Sequence, residues 1–282
     1  MKSLSVLTLL LFMAVNSFCQ ESTDSVEAPK TTFTIGAQYA NNSNYYGQRP
    51  VDATPYTAVI GSVHFPSGFY FTGMAYRLLK DTSALVSAGS ISAGLDFKMG
   101  KKWSGDISFS HALYRNNSPF LQASLSNTVS ASVTHQWWMN TGLTVDYSFG
   151  ETSDVFATLA TSKFIPFGSL FSPKDGIAIT PELNATGGTQ HFYKSYVSNK
   201  ILQDSIAGLP IPIFGSETRS DTTTTRSTSF SLLTYNLKIP LSYYRAHYVV
   251  EAAAQFSTLS DKVTLSPETI NSFFTVSFYY QF

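Results

Sequence analysis

The 282-residue sequence is poor in cysteine and in charge. It has 1 cysteine, Cys19, so no second thiol is present to form a disulfide within the chain. Charged residues make up 13% of the chain, about half the usual share. Because 18 basic residues balance 18 acidic ones, no charge surplus favours a nucleic acid or an acidic substrate. A water-soluble domain with so few charges would be poorly solubilised.

The N-terminus, residues 1–19, has the pattern of a secretory signal peptide. A basic residue precedes an apolar run over residues 6–15, and small residues stand at the positions that precede cleavage after Cys19. The run is too short to span a bilayer as a helix. We therefore expect an exported chain that starts with a short periplasmic segment, 20–31. A lipoprotein anchored through Cys19 is the alternative, but its signal requires a small residue where Phe18 stands.

After the signal peptide, no stretch is long and apolar enough for a membrane-spanning helix. Aromatic residues nevertheless reach 15%, and many segments alternate bulky side chains with Ser and Thr. In LTVDYSF (143–149), for example, Leu, Val, Tyr and Phe alternate with Thr, Asp and Ser. A period of two indicates β-strands. An exported, charge-poor chain with such strands predicts an all-β fold, a transmembrane antiparallel up-and-down β-barrel over residues 32–282.

Connector lengths support this prediction. Connectors after even-numbered strands are short, apart from 165–175, whereas those after odd-numbered strands are long and polar, except after strand seven. Outer-membrane barrels have short periplasmic turns, long external loops and an even strand count. We therefore expect both termini in the periplasm of a Gram-negative bacterium. In the long connector 186–231, the apolar segment 209–214 is a candidate either for a constriction or partner contact at the barrel mouth or for a cap over the barrel rim, and we favour the cap. The twelve predicted strands are 32–39, 56–65, 69–79, 87–99, 103–114, 125–138, 143–149, 154–164, 176–185, 232–244, 247–257 and 273–282.

The last predicted strand, FFTVSFYYQF (273–282), places bulky residues on one face and Thr275 and Ser277 on the other. The spacing of Thr275, Ser277, Tyr280 and Phe282 resembles the C-terminal signal by which bacterial outer-membrane barrels are recognised for assembly. Ser277 departs from the glycine that is usual in that signal. The resemblance implies an outer-membrane location, with outer-membrane lipid and the barrel-assembly machinery as partners.

Two further resemblances concern the origin of the chain. The segments LLTYNLKIPLSYY (232–244) and 273–282 resemble the closing strands of small Bacteroidota outer-membrane barrels. The segment TPYTAVIGSVHFPSGFYFTG (54–73) is similar to the opening hairpin of TorF-like porins. These segments cover less than a fifth of the chain, and they imply a small Bacteroidota-type barrel with a porin role.

The polar faces of the predicted strands carry ionisable residues that are candidates for lining a lumen. If they do, they select small polar solutes; if they pair across the lumen, they fill it. Twelve strands lie between the filled lumen of about eight strands and the open channel of about sixteen, so both arrangements fit. We favour a narrow porin-like channel for passive diffusion of small polar solutes over a structural or adhesive barrel that acts through its external loops. The candidates are Asp96, Lys98, Asp106, Asp146, Glu182, Lys238 and Glu251.

A lipid-modifying enzyme is the third possibility, because the chain has 5 histidines. A lipid-facing Ser–His pair would place the nucleophile two residues from the base on the same face. His111 has Phe109 and Leu113 at those positions. No His, Asp or Glu spacing suggests a metal site. We therefore expect no catalytic residue, no metal and no cofactor.

Overall fold

The computed structural model describes residues 30–81, 85–115, 118–193, 229–260 and 270–282. The predicted signal peptide (1–19) and the apolar segment 209–214 lie outside these residues. Residues 191–193 are helical, and in the described part of the chain no helix is long and apolar enough to cross a membrane. The strands of the described part are β1 (Thr32–Ala40), β2 (Tyr56–His64), β3 (Phe69–Leu78), β4 (Ala88–Lys98), β5 (Trp103–Tyr114), β6 (Asn127–Gln136), β7 (Asn140–Phe149), β8 (Ser153–Ser162), β9 (Ile165–Gly168), β10 (Asp175–Ile179), β11 (Glu182–Gly188), β12 (Ser231–Arg245), β13 (Tyr248–Leu259) and β14 (Ile270–Gln281).

Twelve of these strands form one closed antiparallel sheet. Neighbours follow chain order from β1 to β8, and β11 pairs with both β8 and β12. The last strand returns to the first, with Thr34 opposite Gln281 and Ala40 opposite Thr275. Every barrel strand therefore has two neighbours, and the chain end does not leave a free edge. The prediction of a twelve-stranded antiparallel barrel is confirmed.

The remaining strands, β9 and β10, lengthen one hairpin of the wall. Beyond the first residue of β11, β10 pairs with the C-terminal end of β12, so that Ile179 lies opposite Leu241 and Asp175 opposite Arg245. β9 in turn pairs with β10. The predicted connector 165–175 is therefore wrong, because it contains β9 and turns after Gly168, whose φ is 93°. The predicted start of the seventh strand at residue 143 is also wrong, since β7 opens at Asn140.

A proline marks the point where β10 gives way to β11. Thr180 donates its N–H to the carbonyl of Pro240 on β12 at 3.1 Å. Pro240 has no N–H to return, and the next residue along the facing chain is Pro181. The ladder is interrupted here because neither proline can donate, which explains why one predicted strand appears as two.

The outer surface of the barrel is apolar. On β14, Phe274, Val276 and Phe278 are exposed, whereas Ser277 between them is buried, as the alternation of the last strand predicts. The same alternation holds on the middle strands. Large apolar residues exposed on β5, β6 and β7 are Trp103, Ile107, Phe109, Leu113, Val129, Leu143, Val145 and Tyr147.

The inner surface has two different sides. On one side, polar residues are direct partners across successive strands. Asp106 faces Ser132, and the hydroxyl-bearing Thr144, Thr158, Thr186 and Thr234 follow in register. On the other side, β1 to β3 turn apolar residues inward. These buried inward residues include Tyr56, Ala58, Ile60, Met74, Tyr76 and Leu78. The expectation of a polar inner face therefore holds from β5 to β8 and fails on β2 and β3.

Candidate functional site

The strand register places all seven candidates at inward positions, and their role in selecting solutes stays a prediction. Glu182 and Lys238 are direct partners across β11 and β12, and Glu251 accepts a hydrogen bond from Ser242 at 3.1 Å. Lys98 ends β4 beside the short turn to β5. Asp146 lies in the C-terminal half of β7, towards the end of the barrel that carries the long connectors.

Asp96 and Asp106 form a like-charged pair at the short-turn end of the lumen. They are direct partners across β4 and β5, an arrangement that costs free energy unless other groups offset it. His64 lies with Nε2 2.7 Å from Asp96 Oδ1, and the Tyr70 hydroxyl donates to Asp106 Oδ2 at 2.8 Å. The side chains of His64 and Asp96 are 34% and 37% exposed, so solvent reaches this end of the lumen.

The other end of the lumen is occupied by a loop that enters the barrel. Between β1 and β2, residues 45–48 make a tight turn in which Tyr45 and Gln48 exchange backbone hydrogen bonds of 2.9 and 3.0 Å. We call residues 45–48 the inner turn. Tyr46 and Gly47 at its tip have φ of 49° and 82°, as a type I′ turn requires. The prediction of 41–55 as a polar connector missed this inward path.

The inner turn is held by several strands of the barrel wall. The Tyr46 hydroxyl donates to Asp146 Oδ2 at 2.6 Å, and its ring stacks on Phe156 with centroids 4.2 Å apart. Asn271 Nδ2 donates to the carbonyl of Gly47 at 3.0 Å. A Cβ on Gly47 would overlap Asn236 Oδ1, so the close approach of backbone to wall requires glycine as well as the positive φ.

Burial controls the protonation of the inner turn. Tyr46 is buried, and burial followed by the nearby Asp146 carboxylate raises its pKa well above the usual value. Burial likewise raises the pKa of Tyr45, with smaller effects from Asp154, Tyr114 and Asp146. Both phenols therefore stay neutral, and Tyr46 is a hydrogen-bond donor to Asp146 at physiological pH.

The neck of the same loop is fixed by short polar contacts. Thr54 Oγ1 lies 2.7 Å from Ser43 Oγ and donates to Asn42 Oδ1 at 2.8 Å. The backbone N–H of Thr54 also donates to Asn42 Oδ1 at 2.9 Å. All three residues are buried. The neck is therefore a closed hydrogen-bonded loop that directs the inner turn into the lumen.

Other loop residues pack around the inner turn. Asp154 accepts hydrogen bonds from the backbone N–H groups of His191 and Phe192, both at 2.8 Å, and from the Thr189 hydroxyl at 2.6 Å. These contacts fix Phe192 inside the barrel. Leu125, predicted to open the sixth strand, instead precedes β6 and joins the same cluster. This plug cluster consists of Tyr45, Tyr46, Leu121, Leu125, Phe156, Phe192 and Leu233.

The outer face carries one polar pair relevant to the enzyme alternative. His111 Nδ1 lies 2.9 Å from Asn127 Oδ1, its direct partner on β6. Its neighbours on the same face are Phe109, Leu113 and, on β4, Ile91. None of these three side chains is a nucleophile, so the pair lacks the third component of a Ser–His–Asn arrangement. Among the described residues, no group of three or more His, Cys, Asp or Glu could hold a metal.

An apolar exterior around a closed twelve-stranded sheet, whose inner wall is polar from β5 to β8, defines the fold of an outer-membrane porin-type β-barrel. No protein-family model matches the sequence, and no curated protein matches it significantly. Among solved structures, a KdgM porin is similar with a TM-score of 0.50 and 10% identity, covering 88% of this chain and 99% of that one. An outer-membrane channel from Pseudomonas putida F1 (TM-score 0.46, 11% identity, 93% and 99% covered) and a NanC porin (0.45, 7%, 88% and 98%) are more distant. At these identities, the likeness to the KdgM porin shows the fold.

Proposed function

We propose that this protein is a narrow porin-like channel for passive diffusion of small polar solutes across the outer membrane of a Gram-negative bacterium. The carrying observation is the solvent-reached inner wall at the short-turn end, where Asp96 and His64 are about one-third exposed within a closed barrel whose outside is apolar. Water and polar solutes can enter such a space, and its ionisable side chains would bias which solutes pass.

The orientation and the partners belong to the same proposal. Short turns face the periplasm and long connectors face outward in outer-membrane barrels, so both termini are periplasmic. The signal peptide (1–19) and the periplasmic segment 20–31 precede the barrel. The terminal residues Thr275, Ser277, Tyr280 and Phe282 serve as the signal for the barrel-assembly machinery, and outer-membrane lipid covers the apolar exterior. The placement with TorF-like porins of Bacteroidota rests on residues 54–73 and the closing strands.

A barrel with a filled lumen is the second candidate, and the plug cluster favours it. Tyr45, Phe156, Phe192 and Leu233 are almost fully buried inside the barrel. Under the channel proposal, these side chains form a constriction that loop motion opens. Under the alternative, they form a permanent core, and the protein acts through its external loops.

Planar-bilayer recording separates the two candidates. We would compare the purified protein with a variant in which residues 44–49 are replaced by two glycines, and use heat-modifiable gel migration to establish that each is a folded barrel. The channel proposal expects conductance steps from the unaltered protein and larger steps from the shortened one. Folded protein that gives no steps in either form would refute the channel and support the filled barrel.

A further inference from the structure

The inner turn occupies a niche whose groups are arranged to bind a ring compound. Resting on the proposed channel function, we propose that this niche is a solute-binding site for uncharged hydroxylated rings, such as neutral saccharides, and that Tyr46 is its internal occupant. The niche is formed by the side chains of Asp146, Phe156, Asn236, Ser257 and Asn271, which come from five different strands.

The niche is built rather than accidental. Its five side chains are each at least nine-tenths buried, from Phe156 and Ser257 at 0% to Asn236 and Asn271 at 5% exposure. They offer a ring face, a carboxylate acceptor, two amides and a hydroxyl at one point of the lumen. The Asn236 amide is fixed by a wall contact, because its Nδ2 donates to Asn184 Oδ1 at 2.6 Å. Its Oδ1 lies beside Gly47 of the inner turn.

The occupant is not at a conformational optimum. Tyr46 is a bulky residue with φ of 49°, in the left-handed region that is unfavourable for such residues. It stays there because its hydroxyl and ring satisfy Asp146 and Phe156. A solute that makes the same two contacts would release this strain, so solute and inner turn compete for the niche.

The contacts that Tyr46 and Gly47 make define the chemistry of the solute. The solute needs a hydroxyl to donate to Asp146, a flat face to lie on Phe156 and an oxygen to accept from Asn271. Asp146, which accepts the hydrogen bond from Tyr46, is a carboxylate and repels anions. Lys238, two residues from Asn236 on β12, faces Glu182 directly across β11 and β12. An uncharged saccharide matches this set, and an acidic one does not.

Isothermal titration calorimetry in detergent micelles tests the proposal with maltotriose as the neutral probe and trigalacturonate as the anionic one. Tyr46→Gly removes the occupant and suits the positive φ. In the unaltered protein, the apparent affinity is reduced because only the fraction of molecules with a free niche can bind. We therefore expect Tyr46→Gly to bind maltotriose at least about tenfold more tightly than the unaltered protein. Asp146→Asn added to Tyr46→Gly should remove most of that gain. Ala53→Gly, at an exposed position of the same loop, is the matched control and should leave maltotriose binding unchanged.

Tyr46→Phe keeps the ring and loses the hydroxyl, so it should give an intermediate gain, and it covers the case in which Tyr46→Gly does not fold. Two results would overturn the niche. One is equal binding of maltotriose by all variants, and the other is binding of trigalacturonate as tight as that of maltotriose. Conductance without a gain in binding would refute this inference and leave the channel. A gain in binding without conductance would refute the channel and leave the niche.

Discussion

Gly94 is the position where the smallest substitution should have a measurable effect on the lumen. The ring of Tyr70 crosses over Gly94 to reach Asp106, and a Cβ at Gly94 would overlap that ring and lie 2.9 Å from Ser108 Cβ. Gly94→Ala therefore displaces Tyr70, which is 4% exposed, and breaks its 2.8 Å hydrogen bond to the carboxylate. The stability of the barrel should fall although one methyl group has been added.

The expected magnitude follows from two opposing terms. A hydrogen bond to a charged group contributes about 1.5–3 kcal/mol, whereas replacing glycine by alanine within a strand returns roughly 0.5–1 kcal/mol. The net loss in the free energy of unfolding should be about 0.5–2.5 kcal/mol. Gly61→Ala is the matched control, because no atom lies within 4 Å of the Cβ that it would add. It should leave stability unchanged or raise it slightly.

Urea unfolding in lipid vesicles, followed by tryptophan fluorescence, measures both variants. Tyr70→Phe gives a further check, because its cost should largely disappear in the Gly94→Ala background if the same hydrogen bond is lost in both. The reasoning would be refuted if Gly94→Ala and Gly61→Ala had equal stabilities, or if the costs of Gly94→Ala and Tyr70→Phe were additive.

Two further predictions concern the rim and the chain end. Asp154→Asn places an amide N–H among backbone donors, so it should lower the free energy of unfolding by about 1.5–3 kcal/mol and release Phe192 from its packed position. The near-ultraviolet circular dichroism signal should weaken as a result, and an unchanged spectrum would contradict the anchoring role of Asp154. Deleting Phe282, whose N–H donates to the carbonyl of Phe33 at 2.8 Å, should reduce the heat-modifiable fraction in membranes, whereas Phe282→Trp should retain it; equal fractions would contradict the assembly role.

The strand pattern could be read from the sequence because a barrel wall imposes a local rule. Each residue of LTVDYSF faces either the outside or the lumen, and the period of two records this choice residue by residue. The barrel, its strand count and the outward set of the last strand followed from that rule. The rule weakens where both faces are apolar, as on β2 and β3, where Ile60 and Met74 pack inward against other buried side chains.

The contents of the lumen were decided by contacts between residues far apart in the chain. Tyr46 and Asp146 are 100 residues apart, and Asn271 is 224 residues from Gly47. In sequence, Tyr45-Tyr46-Gly47 is a short aromatic interruption of a polar connector, with no periodicity that shows which way the loop turns. The sequence alone determined a charge-poor, alternating chain that closes into a barrel, because burial and alternation act on neighbouring residues. Only the tertiary structure decided that a loop enters the barrel, because its hydrogen-bond and ring partners exist only once the wall has closed.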